Sequence, residues 1–215
     1  MEYETIHDLI NKNGYYVEKG FLSDNLLSLA FSFGKPVPNK RDQKIIQEIQ
    51  PETTKLSNPN TLSSRYGLSA FPYHTETAYR RTPIHYLILY CQHPGSGDRP
   101  TQLIDFSKIQ FSMKEEKILK SEVWKVVQVL RPFLVTIFKP DAYVRFDMDC
   151  MKPVNECHKE AAQIIHSKLS TTDEININWE ANDLLIVDNF RMLHARGQAN
   201  KPDKDRILKR ILVED

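Results

Sequence analysis

The chain has 215 residues, 29 basic against 28 acidic side chains (formal charge +1), and is 40% hydrophobic and 27% charged. This is the composition of a soluble globular protein, and the length fits one domain spanning residues 1–215. Balanced charge gives no electrostatic footprint for nucleic acid or a membrane surface, and no apolar run approaches a membrane span.

The start, MEYETIHDLINK, lacks a secretory layout, and Cys91, Cys150 and Cys157 form no CxxC pair. Reduced thiols in a cytoplasmic compartment are therefore expected. Residues 4–12 predict a short helix stopped by Asn13-Gly14, and the GYYVEKGF that follows is β-rich. A second helix is predicted from Ser23 to Phe33, ended by Gly34, with Pro36 and Pro38 barring continuation. Residues 44–50 predict a strand and 51–60 a polar loop. IHYLILYC, residues 84–91, predicts a buried strand that HPGSGDRP turns as a hairpin into the next strand, TQLIDF. The GSG at 95–97 has no Lys-Ser/Thr and no helix after it, so it reads as a turn and not as a phosphate cradle.

Residues 111–123 predict a polar helix, and VTIF and YVRFDMDCM are strand candidates. Residues 155–169 predict an amphipathic helix with Ala161, Ile164, Ile165 and Leu169 on one face. NINW, LLIV and RILKRILV are three further β-type runs, separated by Asn182-Asp183 and by a loop over 195–205. Many short strands, few helices and no βαβ alternation point to an antiparallel sandwich or jelly roll and away from a Rossmann domain.

The segment richest in chemistry is Phe71-Pro72-Tyr73-His74-Thr75-Glu76. On an extended strand, His74 and Glu76 project to one face while Thr75 turns away. An imidazole and a carboxylate supply two ligands of a facial metal site, and His194, just past the apolar run LLIV, is the candidate for the third. Two histidines and one carboxylate leave open positions, as in non-haem Fe(II) oxygenases. Zinc hydrolysis has less support, since the chain has neither an HExxH helix nor a cysteine cluster.

Eleven residues after His194 begins Asp205-Arg206-Ile207-Leu208-Lys209-Arg210. On a strand, Arg206, Leu208 and Arg210 share one face and Ile207 and Ile211 the other, so the strand is expected to be buried on both sides. Arginines facing an interior need anionic partners, and a planar guanidinium suits a carboxylate. A dicarboxylate cosubstrate provides one.

These residues resemble the TauD/TfdA-like Fe(II)/2-oxoglutarate-dependent dioxygenases, in the branch of the clavaminate-synthase-like amino acid hydroxylases. YHTETAY is similar to that branch's HTE-type motif, and NDLLIVDNFRMLHAR followed by RILKR resembles its second signature. Asn182 stands where the family usually has glycine, and it tolerates a left-handed backbone. The resemblance implies a mainly β fold, a double-stranded β-helix (jelly-roll) core with a few flanking α-helices. It implies iron held by His74, Glu76 and His194, with 2-oxoglutarate on Thr101 and Arg206 and O2 as the second cosubstrate. The implied reaction hydroxylates an unactivated C–H of a small amino-acid-like metabolite, with succinate and CO2 as co-products.

Substrate-binding positions follow in the same way: Arg210 for an acid group, Leu62 to Ser64 as lining, and Asp147 and Asp149 for a cationic side chain. Asp188 and Asn189 are read either as supports of the distal ligand or as a plain Asx turn. On a strand, Asp147 and Asp149 share a face with Arg145, and a solvated charged face is the alternative reading there. Desaturation, epoxidation, a peptide- or carrier-bound substrate, and a non-catalytic metal-binding jelly roll all fit the same motifs. His85, His93, His158 and His166 have no partner at ligand spacing and are expected to be structural or exposed. Trp124 and Trp179 are expected as core or rim aromatics.

Overall fold

In the computed structural model, residues 3–40, 44–51, 62–127, 130–139, 142–154, 159–200 and 203–215 are described, without the side chains of residues 3, 4, 62 and 63. The first half of the chain forms α1 (Tyr3–Asn13), β1 (Tyr15–Glu18), a 3-10 turn over Ser23–Asn25, and α2 (Leu26–Ser32). β2 (Lys35–Val37), β3 (Gln47–Ile49), α3 (Leu62–Tyr66), β4 (Phe71–His74), β5 (Tyr86–His93) and β6 (Thr101–Asp105) follow. The second half forms α4 (Met113–Ser121), β7 (Trp124–Val126), β8 (Phe133–Val135), β9 (Phe138–Lys139) and β10 (Tyr143–Val144). It ends with β11 (Met151–Pro153), α5 (Glu160–Leu169), β12 (Ile175–Ile177), β13 (Leu184–Asp188), β14 (Met192–Arg196) and β15 (Ile207–Glu214).

Two sheets carry the architecture. The larger has the order β1-β13-β5-β15-β2, with β3 also paired to β15, and the smaller has the order β12-β6-β14-β4. Every pairing in them is antiparallel, as expected of a jelly-roll core. Strand alternation sorts the side chains. Tyr86, Ile88 and Tyr90 of β5 face Ile6, Ile10, Leu26 and Leu29 of α1 and α2. Leu87, Leu89 and Cys91 face inward and meet Leu103, Met192 and Trp179 from the smaller-sheet side. β13 divides the same way, with Leu184 and Ile186 outward and Leu185 and Val187 inward. Burying a side chain of this size contributes roughly 1.5–3 kcal/mol, so the strands are fixed in register by both faces. A third cluster, with Trp124, Phe146, Leu193 and Ile165, packs α5 against the outer side of the smaller sheet. Among the described residues no helix is long and apolar enough to cross a membrane.

Several sequence expectations change here. HPGSGDRP does not close a hairpin: β5 is flanked by β13 and β15, so no free edge remains for β6, and the chain crosses to the other sheet. His194 does not stand at the mouth of the apolar strand before it, and the loop expected over 195–205 starts only after Arg196. His194 is the middle residue of β14, a separate strand in the opposite sheet from β13. YVRFDMDCM is not one strand, because the Asp147 carboxylate accepts from the Asp149 N–H at 2.8 Å and turns the chain over 148–150. VTIF is divided between β8 and β9, where the Thr136 hydroxyl donates to the Phe138 carbonyl. The helix expected from Ser23 starts as a 3-10 turn, and the strand expected over 44–50 is confined to β3. The loop expected over 51–60, the first turn of the helix expected from 155, Cys157 and His158 lie largely or wholly outside the described residues.

Candidate metal centre and anion site

β4 is an edge strand of the smaller sheet, which accommodates Pro72, since an edge strand can spare a backbone donor. His74 ends β4 and pairs in register with His194 of β14. Beyond His74 the strand stops, and Glu76 stands in a turn and not on the strand the sequence predicts. Thr75 does turn away: its hydroxyl donates to the Val144 carbonyl and accepts from the Phe146 N–H, both at 3.1 Å.

His74, Glu76 and His194 each offer a ligand atom within 4.8 Å of the others. The imidazole centroids are 4.2 Å apart, and His194 Nε2 stands 3.7 Å from Glu76 Oε2. That gap is long for a hydrogen bond but short enough for one ion with bonds of roughly 2.0–2.2 Å to both atoms. His74 Nδ1 lies 3.0 Å from the Pro72 carbonyl. A carbonyl only accepts, so Nδ1 carries the proton and Nε2 keeps its lone pair for a metal. Burial, helped by the neighbouring His74, pushes His194 down to about 4, so its imidazole is neutral, the form that ligates. Burial raises the Glu76 carboxyl, but Arg210, His194 and His74 outweigh it and hold the group well below the usual carboxylate range. The donor set fits a divalent cation of the iron type.

Arg210 projects from β15 into the inter-sheet space, on the face that carries Leu208 and Leu212. Its Nη1 donates to both Glu76 oxygens at 3.2 and 3.3 Å, and its Nε and Nη2 donate to Gln47 Oε1 of β3. Asn189 is fully buried and grips the Glu76 backbone from both sides. Its Oδ1 accepts from the Glu76 N–H at 2.7 Å, and its Nδ2 donates to the Glu76 and Ile84 carbonyls. Asp188 faces elsewhere, accepting from the Phe190 N–H and lying 3.6 Å from His85.

Beside the triad lies a second polar cluster. Thr101 of β6 pairs in register with Arg196 of β14, two residues from His194. The Thr101 hydroxyl accepts from Trp179 Nε1 at 3.0 Å and from Arg206 Nη2 at 3.4 Å, and Arg206 also donates to the Arg99 carbonyl. Burial, with the like charge of Arg99, lowers Arg206 to about 10; burial, with Arg99 and Arg206, lowers Arg196 to about 9. Asp203 is the carboxylate of the cluster, 3.8 Å from Arg99 Nε. Gly95, at φ +81°, lies so close that an added Cβ would come within 2.1 Å of Asp203 Oδ1 and 2.9 Å of Arg206 Cβ. The glycine of the 93–100 turn therefore seats Asp203 and Arg206, a use the sequence reading does not give it.

No protein-family model matches the chain. It is 25% identical over 170 residues to clavaminate synthase 2 of Streptomyces clavuligerus, covering 71% of this chain and 52% of that protein. The chain thus spans about half the length of that curated relative. Asparagine oxygenase, solved with Fe(II), 3-hydroxyasparagine and succinate, aligns with a TM-score of 0.77 at 17% identity, over 99% of this chain and 80% of its own. The non-heme iron oxygenase OrfP, solved with Fe, succinate and (3S)-hydroxy-L-Arg, gives 0.74 at 18% identity, over 99% and 80%. PvcB, an Fe, alpha-ketoglutarate dependent oxygenase, gives 0.73 at 15% identity, over 100% and 81%. The chain has the fold of the clavaminate-synthase-like iron and 2-oxoglutarate oxygenases.

Within that oxygenase fold the other expected positions divide. Asp149 is ion-paired with Arg65 of α3, while Asp147 is engaged in its own turn, so the two do not form a common strand face with Arg145. Arg145 is buried, not part of a solvated face. Ser64 lies partly buried on α3, and the Leu62 side chain lies outside the described residues. His85 is stacked between Tyr86 and Phe190, and His93 and His166 are exposed. Trp124 and Trp179 are buried, the latter on Thr101. Sequence reasoning missed Gln47, Arg99, Arg196 and Asp203. Arg99 lies in the HPGSGDRP turn and Arg196 closes the LLIVDNFRMLHAR signature, though neither is singled out there, while Gln47 and Asp203 stand in no local motif. The fold brings Gln47 to Arg210 and the other three to the arginine cluster.

Proposed function

We propose that this chain is an Fe(II)- and 2-oxoglutarate-dependent dioxygenase that hydroxylates a C–H bond of a small amino-acid-like metabolite. The observation that carries this is the meeting of two imidazoles and one carboxylate within 4.8 Å beside a buried arginine–threonine pair. His74, Glu76 and His194 would hold the iron. Thr101 and Arg206 would receive the distal carboxylate of 2-oxoglutarate. One O2 and one 2-oxoglutarate are consumed per hydroxylated product, succinate and CO2. Bound iron supplies the reductive activation of O2 that an unactivated C–H requires.

The protein's own part is protonation state and orientation. The His74–Pro72 contact sets the tautomer, Arg210 keeps Glu76 ionised, and Asn189 fixes the peptide that carries it. At the anion site, the charges of three guanidiniums, two buried (Arg99, Arg206) and one partly buried (Arg196), are felt against one carboxylate, Asp203, so a carboxylate ligand relieves repulsion among these cations. The bound amino acids of asparagine oxygenase and OrfP support an amino acid or derivative as substrate here. An acid group reaching Arg210 would share the guanidinium with Glu76 or replace Gln47, and a cationic side chain reaching Asp149 would displace Arg65. Ser64, on the same helix as Arg65, and Leu62 are the proposed lining of that site, with Asp147 beside it. Asp188 is proposed to act only through the turn that places Asn189.

Succinate release screened against the common amino acids tests the reading. The expected result is succinate formed in step with a hydroxylated amino acid, and only with Fe(II) and O2 present. Succinate release unaffected by removing iron would refute it.

A further inference from the structure

Arg145 is 1% exposed and is among the largest fully buried side chains. A buried guanidinium ordinarily sits against a carboxylate, because an uncompensated charge costs several kcal/mol. Among the described residues Arg145 is instead bonded to main-chain carbonyls. Nη1 donates to those of Ala78 and Arg80 (2.6 Å to Arg80), and Nη2 donates to Arg81 at 2.8 Å and to the Tyr143 hydroxyl at 3.2 Å. All three carbonyls belong to one stretch, which begins two residues after Glu76.

The flanks of Arg145 hold the other side of the same stretch. Thr75 N donates to the Phe146 carbonyl at 2.8 Å, and the Thr75 hydroxyl bridges Val144 and Phe146. Between these two anchors, Thr77 adopts φ +55°, a left-handed backbone that a β-branched residue rarely takes, and its hydroxyl accepts from the Ile84 N–H. Such a turn persists only where its surroundings over-determine it. Carbonyls converging on one point also repel one another unless a cation occupies that point.

We propose that Arg145 is a positioning residue for the metal-binding carboxylate: its guanidinium gathers the carbonyls of residues 78–81 and locks the strained turn that presents Glu76 to His74 and His194. This rests on the reading of those three residues as a metal site. Lysine cannot reproduce the role, since a single ammonium has no planar fork to span separate carbonyls.

The test uses the full chain stripped of metal and titrated with Co(II), followed by its visible absorption bands. Arg145→Lys and Arg145→Gln are expected to weaken Co(II) binding by about tenfold or more and to change the band shape as the carboxylate loses its place. Ile165→Ala, in the same core cluster as Phe146, is expected to lower the melting temperature at least as far while leaving affinity and spectrum unchanged. Wild-type affinity and spectrum in either Arg145 variant would overturn the proposal. Should neither variant fold, hydrogen exchange on the wild-type chain decides. The amides of Ala78, Arg80 and Ile84 are expected to be protected before metal is added and little changed by it, whereas amides that exchange freely until metal binds would overturn a preset turn. No Co(II) binding by the wild type would overturn the metal-site reading itself.

Discussion

Around His74, Glu76 and His194 the charges are closed: one carboxylate faces one guanidinium, Arg210, and burial keeps the His194 imidazole neutral. Around Arg196, two residues farther along β14, they are open. Among the described residues, Arg99, Arg196 and Arg206 share one buried carboxylate, that of Asp203. The first cluster has spare lone pairs and no spare charge, so it suits a metal ion that binds through donor atoms. The second has spare charge and few spare acceptors, so it suits an anion. The two clusters, which meet at β14 through His194 and Arg196, thus present complementary demands side by side, which is what a chelating dicarboxylate bridging metal and arginine requires.

The largest expected effect separates the clusters outright. His74→Ala or His194→Ala is expected to abolish retention of Fe(II), read by metal analysis after gel filtration, while leaving the arginine cluster intact. Arg206→Ala is expected to do the reverse. Iron retention stays, and 2-oxoglutarate binding weakens by about 1.5–3 kcal/mol, the usual worth of a hydrogen bond to a charged group. Calorimetric titration checks it, and unchanged cosubstrate affinity would remove Arg206 from its role. Gly95→Ala is expected to produce part of the same loss indirectly, because its Cβ meets Asp203 and Arg206.

Asn189→Ala tests how firmly the first cluster is held. It leaves the Glu76 N–H and two carbonyls without their partner, so about 1–3 kcal/mol of stability and roughly tenfold in metal affinity are expected to go. Denaturant titration and Co(II) titration measure the two losses separately.

The smallest effect concerns a pair outside both clusters. Burial raises the Asp105 carboxyl, but bonds from Arg191 and Ser107 outweigh it and leave it lowered. With the folded value below the unfolded one, the stabilisation is complete above the unfolded pKa and is lost as pH falls through the folded one. The stability gap between wild type and Arg191→Met is therefore expected to be wide near about pH 6 and to shrink near about pH 3. A gap independent of pH would mean that the ion pair contributes nothing.

Legibility in the sequence followed distance along the chain. β5, β13 and β15 were readable because both faces of each are apolar, and α1 and α5 because their apolar residues recur at helical spacing. His74 and Glu76 were readable as a local pair. His194 was readable only as a candidate, since its strand, MLHAR, is five residues long and has a polar residue at its centre. Asn189 was visible only as a support of the distal ligand, His194, or as an Asx turn; the structure instead puts it on the backbone of Glu76, which lies 113 residues away in the chain. Gln47 and Asp203 carry no local signal, and Arg99 and Arg196 sit inside the HPGSGDRP and LLIVDNFRMLHAR segments without a signal of their own. Gln47 reaches Arg210 through the β3–β15 pairing, and Arg99 reaches its cluster because the chain after β5 crosses to the smaller sheet instead of closing a hairpin. Residues 143–151 alternate like a strand, and the Asp147 side chain bonding the Asp149 N–H broke the pattern.

The most direct measurement is anaerobic addition of Fe(II) and then 2-oxoglutarate to the metal-free chain while the visible spectrum is recorded. A weak charge-transfer band is expected only when both are present, lost in His194→Ala and requiring more 2-oxoglutarate in Arg206→Ala. A wild-type chain that gives no band at saturating concentrations of both, or a His194→Ala chain that gives the full band, would contradict the joining of the two clusters in one site.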